Sequence, residues 1–111
     1  MLNIKYKVNS TAELDRIITS IIEINYKANL NWLDVSSIKD MSCIFKDTAF
    51  NGDISEWDVS NVINMESMFE YSSFNQDISN WNVDNVKYTR FIFYNCPIKD
   101  EYKPNFNYEK L

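Results

Sequence analysis

A chain of 111 residues that is 45% hydrophobic and 15% aromatic holds enough apolar side chain for one folded core, which excludes an intrinsically disordered segment. Its net charge of -5 and sequence pI near 4.6 argue against nucleic acid or an anionic membrane as a partner and suit a basic protein. Histidine is absent, which removes the commonest general base and the most frequent zinc ligand; no enzymatic activity, metal or cofactor is expected.

In chain order, residues 2–8 alternate in the manner of a strand, with Leu2, Ile4, Tyr6 and Val8 on one face. Ser10 and Glu13 stand at capping-box spacing before an apolar helical face of Leu14, Ile17, Ile18, Ile21 and Ile22. Residues 1–29 therefore read as a strand–helix cap over the remainder of the chain. The opening MLNIKYKVNS lacks the charged-then-apolar character of a signal sequence, and no run approaches a membrane span. A cytoplasmic location is expected, with the cell surface as the alternative if a leader has been removed.

From residue 30 the chain repeats every 24 residues, in units 30–53, 54–77 and 78–101. Val35, Val59 and Val83 share one slot; Leu33, Trp57 and Trp81 another; Phe45, Phe69 and Phe93 a third; Phe50, Phe74 and Ile98 a fourth. Each unit opens with the pattern LxxLxLxxL, as in Ile54, Trp57, Val59 and Val62. That is the strand-and-turn register of leucine-rich repeats. The second half of each unit changes to helical spacing, as in Val62, Met65, Met68 and Phe69, with Ser60 or Asn61 placed as an N-cap. One unit cannot bury its apolar face alone, so neighbours must stack. The expected fold is α/β: a short leucine-rich-repeat-like solenoid with a parallel sheet on one side and short helices on the other. Residues 102–111 form a tail interrupted by Pro104, in which Tyr102, Phe106 and Tyr108 can fold back as a lid.

The stretches ISEWDVSNVINMESMF and FNQDISNWNVDNV closely resemble the repeats of BspA-like leucine-rich-repeat proteins, also called mycoplasma-type surface protein repeats. The resemblance covers residues 30 to about 100. It implies a right-handed solenoid, an interaction role and, in many members, adhesion at a bacterial surface.

Two surfaces are candidates for binding. The residues between the inward ones face outward along the expected sheet: Trp32, Asp34 and Ser36; Glu56, Asp58 and Ser60; Asn80, Asn82 and Asp84. They predict a polar, mainly acidic face with Trp32 at its edge, where the equivalent residues are Glu56 and Asn80. The alternative is that Trp32 packs on the N-terminal strand and that the aspartates brace turns. The second surface is the expected helix of the third unit, where Tyr88, Phe91 and Tyr94 fill slots that are polar or small elsewhere. Either the C-terminal tail covers these aromatics, or a partner or second copy does, giving a homodimer. Asn51, Asn75, Asp53, Asp77 and Glu101 recur as turn-bracing residues rather than a calcium site. Cys43 and Cys96 occupy different slots and read as free thiols.

The function expected from these residues is a non-enzymatic protein–protein interaction module. It would be an intracellular binder or inhibitor of another protein, of the kind a phage or mobile element carries against its host. The alternative is a surface adhesion-type repeat protein.

Overall fold

Ser10 caps the one α-helix among the residues, 4–107, that the computed structural model describes. Its extended backbone places Oγ to accept the amide of Glu13 at 3.1 Å, opening helix α1 (Thr11–Ile24). Glu13 in turn accepts the Asn9 amide at 2.8 Å and the Tyr6 hydroxyl at 3.0 Å, which ties the helix start to the preceding strand. Leu14 and Ile18 are fully buried, with Ile17, Ile21 and Ile22 packed beside them.

The preceding strand β1 (Tyr6–Lys7) pairs in parallel with β2 (Leu33–Asp34), through Tyr6 N–H to the Trp32 carbonyl and Val8 N–H to that of Asp34, both 2.9 Å. The expected alternation over 2–8 does not hold. Ile4 is 79% exposed and Tyr6 51% exposed, so only Val8 enters the core, because pairing covers just this short edge. Leu2 lies outside the described residues.

The leucine-rich-repeat-like solenoid, with its parallel sheet on one side and a helix per unit on the other, is not what forms. Among the described residues the sheet is β1 and β2 alone, supplemented by single parallel bridges Asp40–Asn64–Tyr88. The apolar alternation is real, since Leu33, Val35, Trp57, Val59, Trp81 and Val83 are all buried. Tight turns break it before a ladder can grow: Leu33 N–H bonds to Leu30 O, Trp57 to Ile54 and Trp81 to Ile78, each at 3.1 Å.

The expected unit helices, including one capped at Ser60 or Asn61, are replaced by turns for a different reason. Cys43, Asp47, Ser67, Tyr71, Phe91 and Asn95 have φ between 53 and 61°. A left-handed residue at every fourth position ends a right-handed helix before its second turn. The helical spacing of apolar residues is kept, but the amides are turned away from the i−4 carbonyls.

The result is a body of 40 × 26 × 25 Å whose core follows the 24-residue period of the sequence. Phe69 stacks between Phe45 (5.5 Å between ring centroids) and Phe93 (5.7 Å), while Phe50 stacks on Phe74 at 6.0 Å. The indole N–H of Trp57 donates to Leu30 O and that of Trp81 to Ile54 O, so each tryptophan is satisfied by the unit before it. Each fully buried aromatic contributes about 1.5–3 kcal/mol, with about 0.5–1.5 kcal/mol more from ring pairing. The tail turns through a short 3-10 segment (Asp100–Tyr102), where Tyr102 O accepts Ile78 N–H at 3.0 Å, and buries Pro104 and Phe106. Tyr102 and Phe106 thus fold back as expected; Tyr108 lies outside the described residues.

Candidate functional site

The first surface combines exposure with structural duty. Trp32 is 46% exposed and meets Tyr6 edge-on at 6.5 Å, so it packs against β1 while leaving half its surface to solvent. Asp34, Asp58 and Asn82 occupy one slot, and each accepts the amide two residues on, from Ser36, Ser60 and Asp84, at 3.0, 3.0 and 3.1 Å. These are Asx turns, the turn-bracing alternative. The Ser36 hydroxyl and amide hold the Asp34 carboxyl below the ordinary carboxylate value, helped by Lys7 and Lys5. Ser60 does the same for Asp58.

Lys5 is the weakest influence on both aspartates, behind the Asp34 charge at Asp58, so this part of the face stays acidic with a basic side chain near it. Ser36 and Ser60 also accept, at their carbonyls, the side-chain amides of Asn61 and Asn85 at 2.7 Å. The Glu56 amide is held by Asn31 Oδ1 at 2.9 Å, its side chain remaining exposed. Asn80 borders a shallow hollow of about 300 Å³ with Asp53, Ser55, Gln76 and Asp77. There Ser55 and Ser79 lower the carboxyls of Asp53 and Asp77 by hydrogen bonding, as turn residues do.

The second surface has a different character. Tyr88, Phe91 and Tyr94 are 52, 51 and 54% exposed; Phe91 and Tyr94 lie in turns and Tyr88 in a parallel bridge to Asn64, none of them on a helix. Among the described residues the tail does not cover them; it packs on Phe93, with Lys103 Nζ 5.4 Å from that ring. Tyr71, which occupies the slot of Asp47 and Asn95, joins them. It is 50% exposed and meets Tyr94 edge-on at 5.6 Å, while Phe91 meets Tyr94 at 5.7 Å. Glu70, Tyr71, Phe91 and Tyr94 line a shallow hollow of about 290 Å³. Arg90 sits over the Phe91 ring at 5.1 Å, and Lys46 pairs with Glu70 at 3.3 Å. The neighbouring Tyr94 pushes the Tyr71 hydroxyl above its ordinary value.

Tyr71 and Phe91 both hold left-handed backbone, which costs a side-chain-bearing residue about 1–2 kcal/mol. Neither gains full burial in return. Sequence reasoning found Tyr88, Phe91 and Tyr94 but missed Tyr71, although an aromatic between Asp47 and Asn95 at one slot was a readable signal.

Among the described residues no group of three or more acidic, cysteine or histidine side chains is placed to hold a metal, and no helix is long and apolar enough to cross a membrane. Cys43 is exposed and Cys96 half-buried, both as free thiols; Cys96 Sγ approaches Phe74 O at 3.2 Å.

Residues 12–110 match the family described as a mycoplasma protein of unknown function, DUF285, and the chain belongs to that family. No curated protein and no solved structure shows a significant match.

Proposed function

We propose that this chain is a non-enzymatic protein–protein interaction module that docks a basic protein through the aromatic surface of Tyr71, Phe91 and Tyr94. The observation that carries this reading is the exposure of three aromatic side chains on neighbouring turns, two of them held at backbone positions that disfavour them. Aromatic anchors of this type supply most of the energy of protein interfaces. The net charge of -5 supplies the complementarity that favours a basic partner and speeds the encounter. An intracellular binder or inhibitor uses these features directly. A second reading, adhesion at the cell surface, is favoured by the resemblance of the repeats to BspA-like proteins and agrees with membership of a mycoplasma family.

The test is affinity capture from a lysate of the source organism, comparing the native chain with Phe91→Ser/Tyr94→Ser and with Trp32→Ala/Asp58→Lys/Asn82→Lys. A protein held by the native chain and by the second variant, but lost by the first, supports the aromatic surface. That protein, once purified, should bind more weakly as salt rises from about 50 to about 300 mM. Retention by the first variant and loss by the second would move the site to the other face.

A further inference from the structure

The turns at 41–47, 65–71 and 89–95 are joined by backbone hydrogen bonds in which each turn donates to the next, while return bonds run from Ile63 and Asn64 to Lys39 O and from Lys87 and Tyr88 to Ile63 O. Met41, Cys43, Phe45 and Asp47 donate their amides to the carbonyls of Asn64, Glu66, Met68 and Glu70, at 2.8, 3.1, 3.0 and 2.9 Å. Met65, Ser67, Phe69 and Tyr71 donate in turn to Tyr88, Arg90, Ile92 and Tyr94, at 2.8, 2.9, 2.9 and 2.9 Å. The equivalent amides of the last unit belong to Thr89, Phe91, Phe93 and Asn95, and none of the four has an acceptor among the described residues. The tail closes the other half of this end through Ile78 N–H to Tyr102 O and the burial of Pro104 and Phe106. Among the described residues the half bearing Phe91 and Tyr94 is left open.

We propose that this open row of amides receives a peptide segment of the protein partner, which presents carbonyl oxygens at alternate residues and lies as one more row against the third unit. The proposal rests on the docking role of the aromatic surface and specifies what docks. Four donors in line, preceded by the Lys87 carbonyl whose counterparts at Lys39 and Ile63 accept amides of the following unit, select a peptide backbone, as an unpaired sheet edge does. Phe91 contributes both an amide to the row and a ring to the aromatic surface, so backbone affinity and side-chain specificity meet at one residue. A second copy of the chain fits less well. Its matching carbonyl row begins at Asp40, whose oxygen is already taken by Thr11 Oγ1 at 2.7 Å, and two chains of charge -5 repel.

Amide hydrogen exchange by NMR tests this on the whole chain, with a synthetic peptide of residues 87–95 as the probe, since that segment already accepts the equivalent bonds from the second unit. In the free protein the amides of Thr89, Phe91, Phe93 and Asn95 should exchange at least about tenfold faster than those of Met65, Ser67, Phe69 and Tyr71. Probe at about 1 mM should slow the four by about tenfold and leave the amides of α1 unchanged. Unchanged exchange at the four amides, or slow exchange in the free protein, overturns the proposal. So does protection that grows with protein concentration alone, which would assign the edge to a second copy. If a captured partner is lost by Phe91→Ser/Tyr94→Ser yet leaves these amides unprotected in its complex, the aromatic surface stands and the added row falls.

Discussion

The side-chain oxygen of Asn51 accepts the backbone amide of Asn75 at 2.8 Å, and the side-chain oxygen of Asn75 accepts that of Lys99 at 3.0 Å. One residue type at one slot thus fastens three consecutive units, each asparagine satisfying a turn amide of the next. Gln76 Nε2 adds bonds to Asn51 O and Oδ1, both 3.2 Å.

Replacing Asn51 by alanine should therefore cost about 1–3 kcal/mol in urea unfolding, because the Asn75 amide loses its acceptor in a half-buried site. Asn51→Asp keeps an acceptor oxygen and should retain most of that stability. Equal loss in both variants would show that the side chain acts through packing instead.

Gly52, the single glycine, is buried, and a Cβ built there would lie 1.9 Å from the Ala28 carbonyl oxygen. The obstacle is backbone, which cannot swing aside as a side-chain end can. Gly52→Ala should lower stability by at least about 1–3 kcal/mol, the ordinary penalty for overpacking. A melting temperature equal to that of the native chain would mean that the 25–29 turn yields freely.

Phe69 and Phe91 make a paired test of core against surface. Phe69 is fully buried between two stacked rings, so Phe69→Ala should cost about 3–5 kcal/mol. Phe91→Gly loses only half-exposed contacts and relieves a left-handed backbone, so stability should stay within about 1 kcal/mol of the native chain. Partner capture by this variant should nonetheless fail. A large destabilisation by Phe91→Gly would make that side chain a structural brace.

The carboxyls of Asp34, Asp53, Asp58 and Asp77 are all held below their ordinary value of 3.8, chiefly by the serine two residues on. A lowered folded-state value means that the ionised form is preferred after folding. The stability it contributes is therefore complete above the unfolded value and is lost as pH falls through the lowered folded values. Thermal midpoints measured from pH 7 down to about 2 should hold steady and then drop below about pH 4. Asn82 makes the same turn without a charge, so Asp34→Asn/Asp58→Asn/Asp77→Asn should flatten that drop. An unaltered acid transition in the triple variant would place its cause elsewhere.

Much of the interior was legible in the sequence. The 24-residue period predicts which rings stack, and the buried slots of Val35, Val59 and Val83 follow from alternation alone. The capping role of Ser10 and the turn role of Asp34 and Asp58 were readable because short polar side chains act locally. The turns that replace the unit helices were not legible, because apolar residues three and four apart also recur when two tight turns succeed one another. The distinguishing signal lay in Asp47 and Asn95, residue types that tolerate left-handed backbone, at a slot where a helix would need none. At the aromatic surface the same slot hid Tyr71. Like Phe91 and Tyr94, it stands out only by departure from the repeat, as an aromatic between Asp47 and Asn95 at one slot.

Trp57 and Trp81 are held 6.4 Å apart with their rings 6° from parallel, while Trp32 stands half-exposed at the other end of the chain's tryptophan set. Each of these two indoles is screened from water largely by the other unit's packing. Their fluorescence therefore reports on the packing of the second unit against the third and should shift to longer wavelength when water reaches the rings. Collisional quenchers in solution reach Trp32 and spare the buried pair. The protein is built with two separable optical reporters, one for the seam between units and one for its N-terminal rim.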